Sequence, residues 1–375
     1  MALLYKLEQH TVELVKLSRR IVELSREMEC CRRGRFSLLT TEALVTDTAA
    51  SLQKEKAFVH LSVLAEAAPQ ALLTDPDGIY VDATFGRGGH SRRILAALSP
   101  KGRLIAFDRD PEAVRAAASI TDSRFTIIPA PFSRMKAELS ARDVTSVTGV
   151  LMDIGVSSPQ IDDAERGFSF RFDGPLDMRM DTEHGITAAQ WLAKAPAEDI
   201  EKVLKIYGEE RMAGRIARTI CEVRKTEIID RTAQLARIIA SAVPRSRQDP
   251  QQHPATRSFQ AIRIFINGEL DELTAALEEA GGLLKPDGKL CVISFHSLED
   301  RIVKRFFEAG AHPERAVDSR IALTSDMLPA PLWRDVTRIK PDAGECEANP
   351  RARSAVMRTG VRTAAPWVPG GKGRL

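Results

Sequence analysis

Gly86, Gly88 and Gly89 follow the apolar pair Tyr80-Val81, and Asp108 comes 22 positions after Gly86, closing a second apolar run, Arg103 to Phe107. Glycines let a backbone turn sharply and let a ligand approach it closely. The N-terminus of a helix presents unpaired N–H groups, which suit a nucleotide-like ligand. An acidic side chain at that spacing, at the end of the second strand, can hold a ribose hydroxyl. NAD and S-adenosylmethionine both carry a ribose diol, so the spacing leaves a dehydrogenase and a methyltransferase equally open. A tight strand-to-helix turn that binds nothing is the plain structural alternative.

A second group is Asp153-Ile-Gly-Val-Ser-Ser-Pro-Gln160, where Asp153, Ser157, Ser158 and Gln160 crowd polar groups into one loop. Pockets concentrate such groups, whereas a rigid Gly/Pro loop would need none of them. Phe132 can stack on an adenine or pack in a core. His296 follows an apolar run and suits a substrate ligand or a hydrogen-bonded structural histidine. Gly167 to Phe172 alternates aromatics, which wrap a core or stack an extruded base. His253 to Arg257 with Arg263, and Asn349 to Ser354, add cationic groups suited to phosphate. There is no Ser-His-Asp trio, phosphate-loop lysine motif or H-E-x-x-H motif, which weighs against hydrolase, kinase and metalloprotease chemistry.

Strands are expected at about 79–83, 103–107, 125–128, 147–154 and 289–294, with helices between them and a further strand within 353–362. Strands alternating with helices imply an α/β, doubly wound parallel sheet, whose ligand crevice lies at the carboxyl ends of the strands. The polar loops all fall on that edge. Between Asp162 and Arg257 helices dominate: one capped by Thr187, then 197–206, 209–224 and 232–243. Residues 162–257 therefore read as a helical insertion for substrate recognition. Residues 57–161 and 258–365 form the nucleotide-binding domain, and 366–375 a tail. The α/β pattern resumes with one long helix, 261–284, a turn at 285–288 and a helix at 298–308. Leu7, Leu14, Ile21 and Met28, with Leu3, Leu17 and Leu24, repeat by seven. That makes 1–56 a coiled-coil extension suited to homodimerisation.

The 375 residues are 43% hydrophobic and 28% charged with net charge +3, which permits a nucleic-acid partner without demanding one. From Trp333 onward nine Lys/Arg face four acids. The five cysteines show no C-x-x-C spacing. That argues against a disulfide framework or a metal site and for a reducing cytoplasm. No apolar run reaches membrane-spanning length.

Asp82-x-Thr-x-Gly-x-Gly-Gly-His90, Asp108-Arg-Asp110, Asp153 to Gln160, Glu165-Arg-Gly-Phe-Ser-Phe170, Gly174 to Met180, Tyr207 to Arg211, His253 to Arg257 and Ser294-Phe-His-Ser-Leu-Glu-Asp-Arg301 together resemble the bacterial ribosomal RNA small-subunit methyltransferase H (MraW) family. The resemblance covers about 58–362. It implies a class I methyltransferase fold, S-adenosylmethionine as cofactor, and methylation of the exocyclic N4 of a cytidine in the decoding region of 16S rRNA. The partner would be 16S rRNA or the small ribosomal subunit. Gly88, Gly89, His90, Asp108, Phe132, Asp153 and Gln160 would surround the cofactor. Asp153 and Ser158 are expected beside the target amine, and Arg257, His296, Arg301 and Arg353 on the RNA. Ser62 stands where the family usually has proline. A DNA amino-methyltransferase would carry an Asp/Asn/Ser-Pro-Pro-aromatic tetrapeptide, which Ser157-Ser-Pro-Gln160 is not. A non-catalytic RNA-binding assembly factor on the same fold stays open.

Overall fold

A computed structural model describes residues 62–247, 252–316 and 328–368. The heptads, and with them the expected dimer seam, lie outside these residues, as does most of the tail. Ile79–Asp82 (β1), Arg103–Asp108 (β2), Phe125–Pro129 (β3), Val147–Asp153 (β4) and Leu284–Ser294 (β5) run parallel. Trp333–Ile339 (β6) and Val356–Arg362 (β7) complete a seven-stranded sheet of order β3-β2-β1-β4-β5-β7-β6. β7 is antiparallel to both neighbours.

Ala67–Leu72 (α1), Gly89–Ala97 (α2), Pro111–Ala117 (α3) and Met135–Ser140 (α4) alternate with the first four strands. Side chains on a strand alternate between faces, and the central strands are apolar on both because helices cover both. Val150 and Met152 of β4 point to one side with Val81, Ile105, Leu290 and Val292, under Leu273, Leu277, Phe306 and Phe307. Leu151 points to the other with Tyr80, Leu104 and Ile293, under Leu72, Ile94 and Leu95. Parallel pairing places Asp82, Asp108, Asp153 and Ser294 at one edge.

The middle of the chain is helical: Ser158–Asp162 (α5), Ala188–Lys194 (α6), Ala197–Gly208 (α7), Ala213–Val223 (α8), Thr232–Ala242 (α9) and Thr256–Asn267 (α10). Leu176, Trp191, Ile200, Leu204, Ile216, Ile220, Leu235, Ile239, Phe259 and Ile262 share a buried cluster of their own. Thr187 caps α6, and Gln190 returns the bond to the Thr187 N–H, a reciprocal capping box.

The long helix expected over 261–284 is two helices, α10 and Glu269–Leu283 (α11). Gly268 sits between them at φ +59°, a left-handed residue that ends the first helix. The apolar period runs through both helices, so it hides the break. The expected turn at 285–288 lies inside β5. Leu284 pairs with Val147 and Lys289 with Gly149, so the intervening residues form an irregularity within one strand, with Asp287 at φ +66°. β6 has no counterpart among the expected strands, because most of its residues are exposed and carry no apolar alternation. Ser297–Ala311 (α12) and Ala343–Ala348 (α13) complete the labelled elements. Among the described residues no helix is long and apolar enough to cross a membrane.

Candidate active site

The glycine turn after β1 is tied to the end of β2. Asp108 accepts the Gly86 N–H on Oδ2 at 2.8 Å and the Asp110 N–H on Oδ1 at 2.9 Å. Each oxygen keeps a lone pair, the arrangement a ribose diol requires. Burial pushes the Asp108 carboxyl up to about 6, against the lowering effect of the two backbone N–H groups. Gly88 adopts φ +75°, and a Cβ there would lie 2.8 Å from the Phe85 ring. A Cβ on Gly89 would come 1.9 Å from Ser62 Oγ. A larger residue at Gly88 would be strained by backbone and ring alike, while one at Gly89 would require the Ser62 hydroxyl to turn away.

Asp153 ends β4, and its backbone N–H donates to Thr84 Oγ1 at 2.7 Å. Its Oδ2 lies 3.5 Å from His90 Nε2, while Oδ1 is buried with no hydrogen-bond partner. Burial alone would lower the pKa of His90, but the Asp153 and Asp82 carboxylates outweigh it and raise it. Asp82 accepts the Ser91 hydroxyl at 2.6 Å, and burial raises its own pKa.

Gln160 also faces the crevice, yet its amide is committed. Oε1 accepts the Ser157 N–H at 2.9 Å and Nε2 donates to Asp110 Oδ2 at 2.7 Å. Arg166 Nη1 reaches the same oxygen at 2.9 Å and Nη2 donates to the Met180 carbonyl at 3.0 Å. Asp110 caps α3 through the Glu112 N–H at 2.9 Å, so this network fixes the helix that carries the ribose-side wall. Arg166 and Asp110 are 5% and 4% exposed, and removing one partner of a buried pair strands the other charge. Arg166→Ala is expected to cost about 3 kcal/mol, read as a lowered denaturation midpoint.

β5 lies beside β4, with Ile293 opposite Asp153, so Phe295 and His296 enter the same crevice. Arg263 donates to both oxygens of Glu269 at 2.8 Å. Burial would lower the pKa of Arg263, but the Glu269 and Glu299 charges raise it. Glu269, His296 and Glu299 each place one potential metal-ligand atom within 4.8 Å of the others. The Arg263 guanidinium already neutralises Glu269 through both oxygens, so this group reads as an ion-pair network. Across the opening, Arg351 pairs with Asp162 at 2.5 Å.

Gly86, Gly89, His90, Asp108, Asp110, Asp153, Gln160, Arg263, Glu269, His296, Glu299 and Arg351 line one cavity of about 330 Å³. Of the residues expected around a cofactor or amine, Gly89, His90, Asp108, Phe132, Asp153, Ser158 and Gln160 are in its wall, while Gly88 is not. Of those expected on RNA, His296 lines the cavity. Arg257, Arg301 and Arg353 are exposed outside it, with Arg301 paired to Glu209 at 3.2 Å. Phe170, read as a stacking candidate, is occupied: its ring packs 4.7 Å from His253 and 4.8 Å from Phe259. Glu269, Glu299 and Arg351 escaped the sequence reading as cavity residues. Glu299 lay in a quoted motif and Arg351 in the basic Asn349–Ser354 cluster, but neither had a signal separating it from a solvated face.

The parallel sheet with its reversed β7 and a cavity across the carboxyl ends of β1, β2, β4 and β5 defines the protein as a class I methyltransferase by architecture. The model of the MraW methylase family matches residues 57–363, and the chain belongs to that family. It is 54% identical to the ribosomal RNA small subunit methyltransferase H of Chromobacterium violaceum over 315 residues, covering 84% of this chain and 98% of that one. It is 55% identical to the protein of the same name from Thiobacillus denitrificans over 306 residues, 81% of this chain and 97% of that one. Among solved structures, an rRNA methylase from Streptococcus thermophilus covers 80% of this chain and 93% of its own at 10% identity and a TM-score of 0.34, too distant to add weight.

Proposed function

We propose that this protein transfers a methyl group from S-adenosylmethionine to the exocyclic N4 of a cytidine in the decoding region of 16S rRNA. The observation that carries this reading is the single cavity joining the glycine turn and Asp108 to the polar ends of β4 and β5. The names of the relatives support the rRNA substrate. The cavity residues fit the cofactor: Asp108 has lone pairs for a ribose diol, Gly89 brings bare backbone to the wall, and Asp153 has a buried oxygen without a partner.

Bound S-adenosylmethionine would supply a methyl carbon already activated on sulfonium, so the protein contributes mainly position. Holding two groups in line can be worth several kcal/mol or more. In this reading Asp108 holds the ribose, Phe132 faces the adenine, and Gly89 and His90 shape the wall between them. Asp153 and the Ser158 end of α5 meet the amine. Acceptors on the amine hydrogens favour its pyramidal form, in which the lone pair leaves the ring. The base must leave its stack to enter such a cavity. The helical residues 162–257 would then hold the RNA, with Arg257, Arg301 and Arg353 on phosphates.

The expected result is N4-methylcytidine in 16S rRNA from cells with this protein and none at that position without it, by nucleoside mass spectrometry. Purified protein should transfer tritium from labelled cofactor to the same site. An unchanged N4-methylcytidine level would remove the reading. Binding to the RNA without transfer would leave an assembly factor.

A further inference from the structure

We propose that Glu299 and His296 read the Watson–Crick edge of the acceptor base, Glu299 accepting a hydrogen from the exocyclic amine and His296 donating to the ring nitrogen beside it. The proposal rests on the cytosine-N4 reading above and adds how the pocket tells cytosine from uracil.

Glu299 is fully buried and lines the cavity. Its Oε2 is held by the backbone N–H groups of Phe295 and His296 at 2.9 and 3.3 Å. Its Oε1 lies 3.0 Å from His296 Nε2, yet neither atom has a partner in hydrogen-bonding geometry. Nδ1 of His296 faces the Glu299 N–H at 3.4 Å, which assigns the proton of the neutral ring to Nε2. Two wall residues therefore hold a buried acceptor and a buried donor side by side, neither with a hydrogen-bond partner of its own. Cytosine presents the complementary pair, an amine hydrogen and a ring nitrogen acceptor. Uracil presents the reverse, a carbonyl oxygen and a ring N–H. Leaving a buried carboxylate opposite a carbonyl is penalised strongly.

Among the described residues that line the cavity, Asp153 Oδ1 and Glu299 Oε1 are the buried carboxylate oxygens without a hydrogen-bond partner. The amine has two hydrogens to give. One acceptor comes from β4 and the other from the helix after β5. Burial would raise the pKa of Glu299, but His296, Arg263 and the Phe295 N–H outweigh it and keep the carboxyl ionised. Glu299 thus has a reason to be charged in a place where a carboxylate is otherwise costly.

Glu299→Gln is the discriminating change. Its remaining oxygen still accepts the two backbone N–H groups, while the atom beside His296 Nε2 becomes a donor. The probe is the small ribosomal subunit carrying cytidine or uridine at the acceptor position, with S-adenosylhomocysteine for binding and S-adenosylmethionine for single turnover. The variant should fold with a lowered melting point, since Arg263 loses part of its buried counter-charge, and bind S-adenosylmethionine equally well. It should methylate cytidine about 10- to 100-fold more slowly and, in binding with S-adenosylhomocysteine, lose the wild-type preference for cytidine over uridine. His296→Asn, which keeps a side chain able to cap α12, should lower the same preference and serves if Glu299→Gln fails to fold. A variant that retains both rate and preference overturns the proposal, as does one that loses rate but keeps the preference, the mark of a purely structural role. Wild-type protein that methylates no cytidine would instead remove the functional reading beneath it.

Discussion

Asp108→Asn is expected to weaken S-adenosylmethionine binding by about 10- to 100-fold, the size of hydrogen bonds to a charged group, without loss of thermal stability. The two effects separate because the carboxylate is costly to the fold and useful to the ligand. Burial raises its pKa from 3.8 to about 6. Below pH 4 native and unfolded chains both carry the proton. Between pH 4 and 6 the native chain keeps a proton that the unfolded chain has lost, so stability falls as pH rises. Above pH 6 the full cost is present, about 3 kcal/mol for a shift of this size. Asparagine removes that cost while its amide oxygen can still accept one of the N–H groups of Gly86 and Asp110. A ribose diol donates to the ionised form, so wild-type affinity should improve from pH 5 to pH 7, with proton release on binding near pH 6. Calorimetry in two buffers of different ionisation enthalpy measures both. Affinity independent of pH across that window, or unchanged in Asp108→Asn, would place the ribose elsewhere.

The reach of the sequence into this site follows from how far apart its parts lie along the chain. The Gly86 turn, Asp108 and their hydrogen bond belong to one β-α-β unit, so spacing alone reveals them. Asp153 is legible because a polar loop after an apolar strand must reach the sheet edge. The wall around Glu299 depends on β5 pairing beside β4 after more than a hundred intervening residues, which no local pattern encodes. Arg166 is a further case: the sequence shows it inside a family motif, and only its bonds to Asp110 and Met180 explain it. Errors in the elements have the same origin. The 261–284 period is indifferent to Gly268, and Lys285 to Gly288 carries turn chemistry that the fold uses inside a strand. β6 is an edge strand with one buried residue, Trp333, so tertiary pairing, not alternation, makes it a strand.

Asp153→Asn is expected to slow single-turnover methyl transfer by about 100-fold or more at saturating cofactor, within the range for an acceptor acting on a reacting proton. Asparagine preserves size and leaves the Asp153 N–H to Thr84 bond intact, so the fold should survive. It replaces an oxygen that has no hydrogen-bond partner in the cavity wall, or the one facing His90, by an amide nitrogen. Two roles for Asp153 then make opposite demands on the data. If it serves the cofactor, the variant binds S-adenosylmethionine weakly and high cofactor restores the rate. If it meets the amine, cofactor affinity changes little and no concentration restores the rate. The second outcome is the expected one, because His90 lies beside one oxygen while the other is left without a partner. His90→Gln should reproduce only part of the loss. It removes the group beside Oδ2 and leaves the carboxylate in place, so a loss as large as that of Asp153→Asn would move the proton-accepting role from Asp153 to the pair.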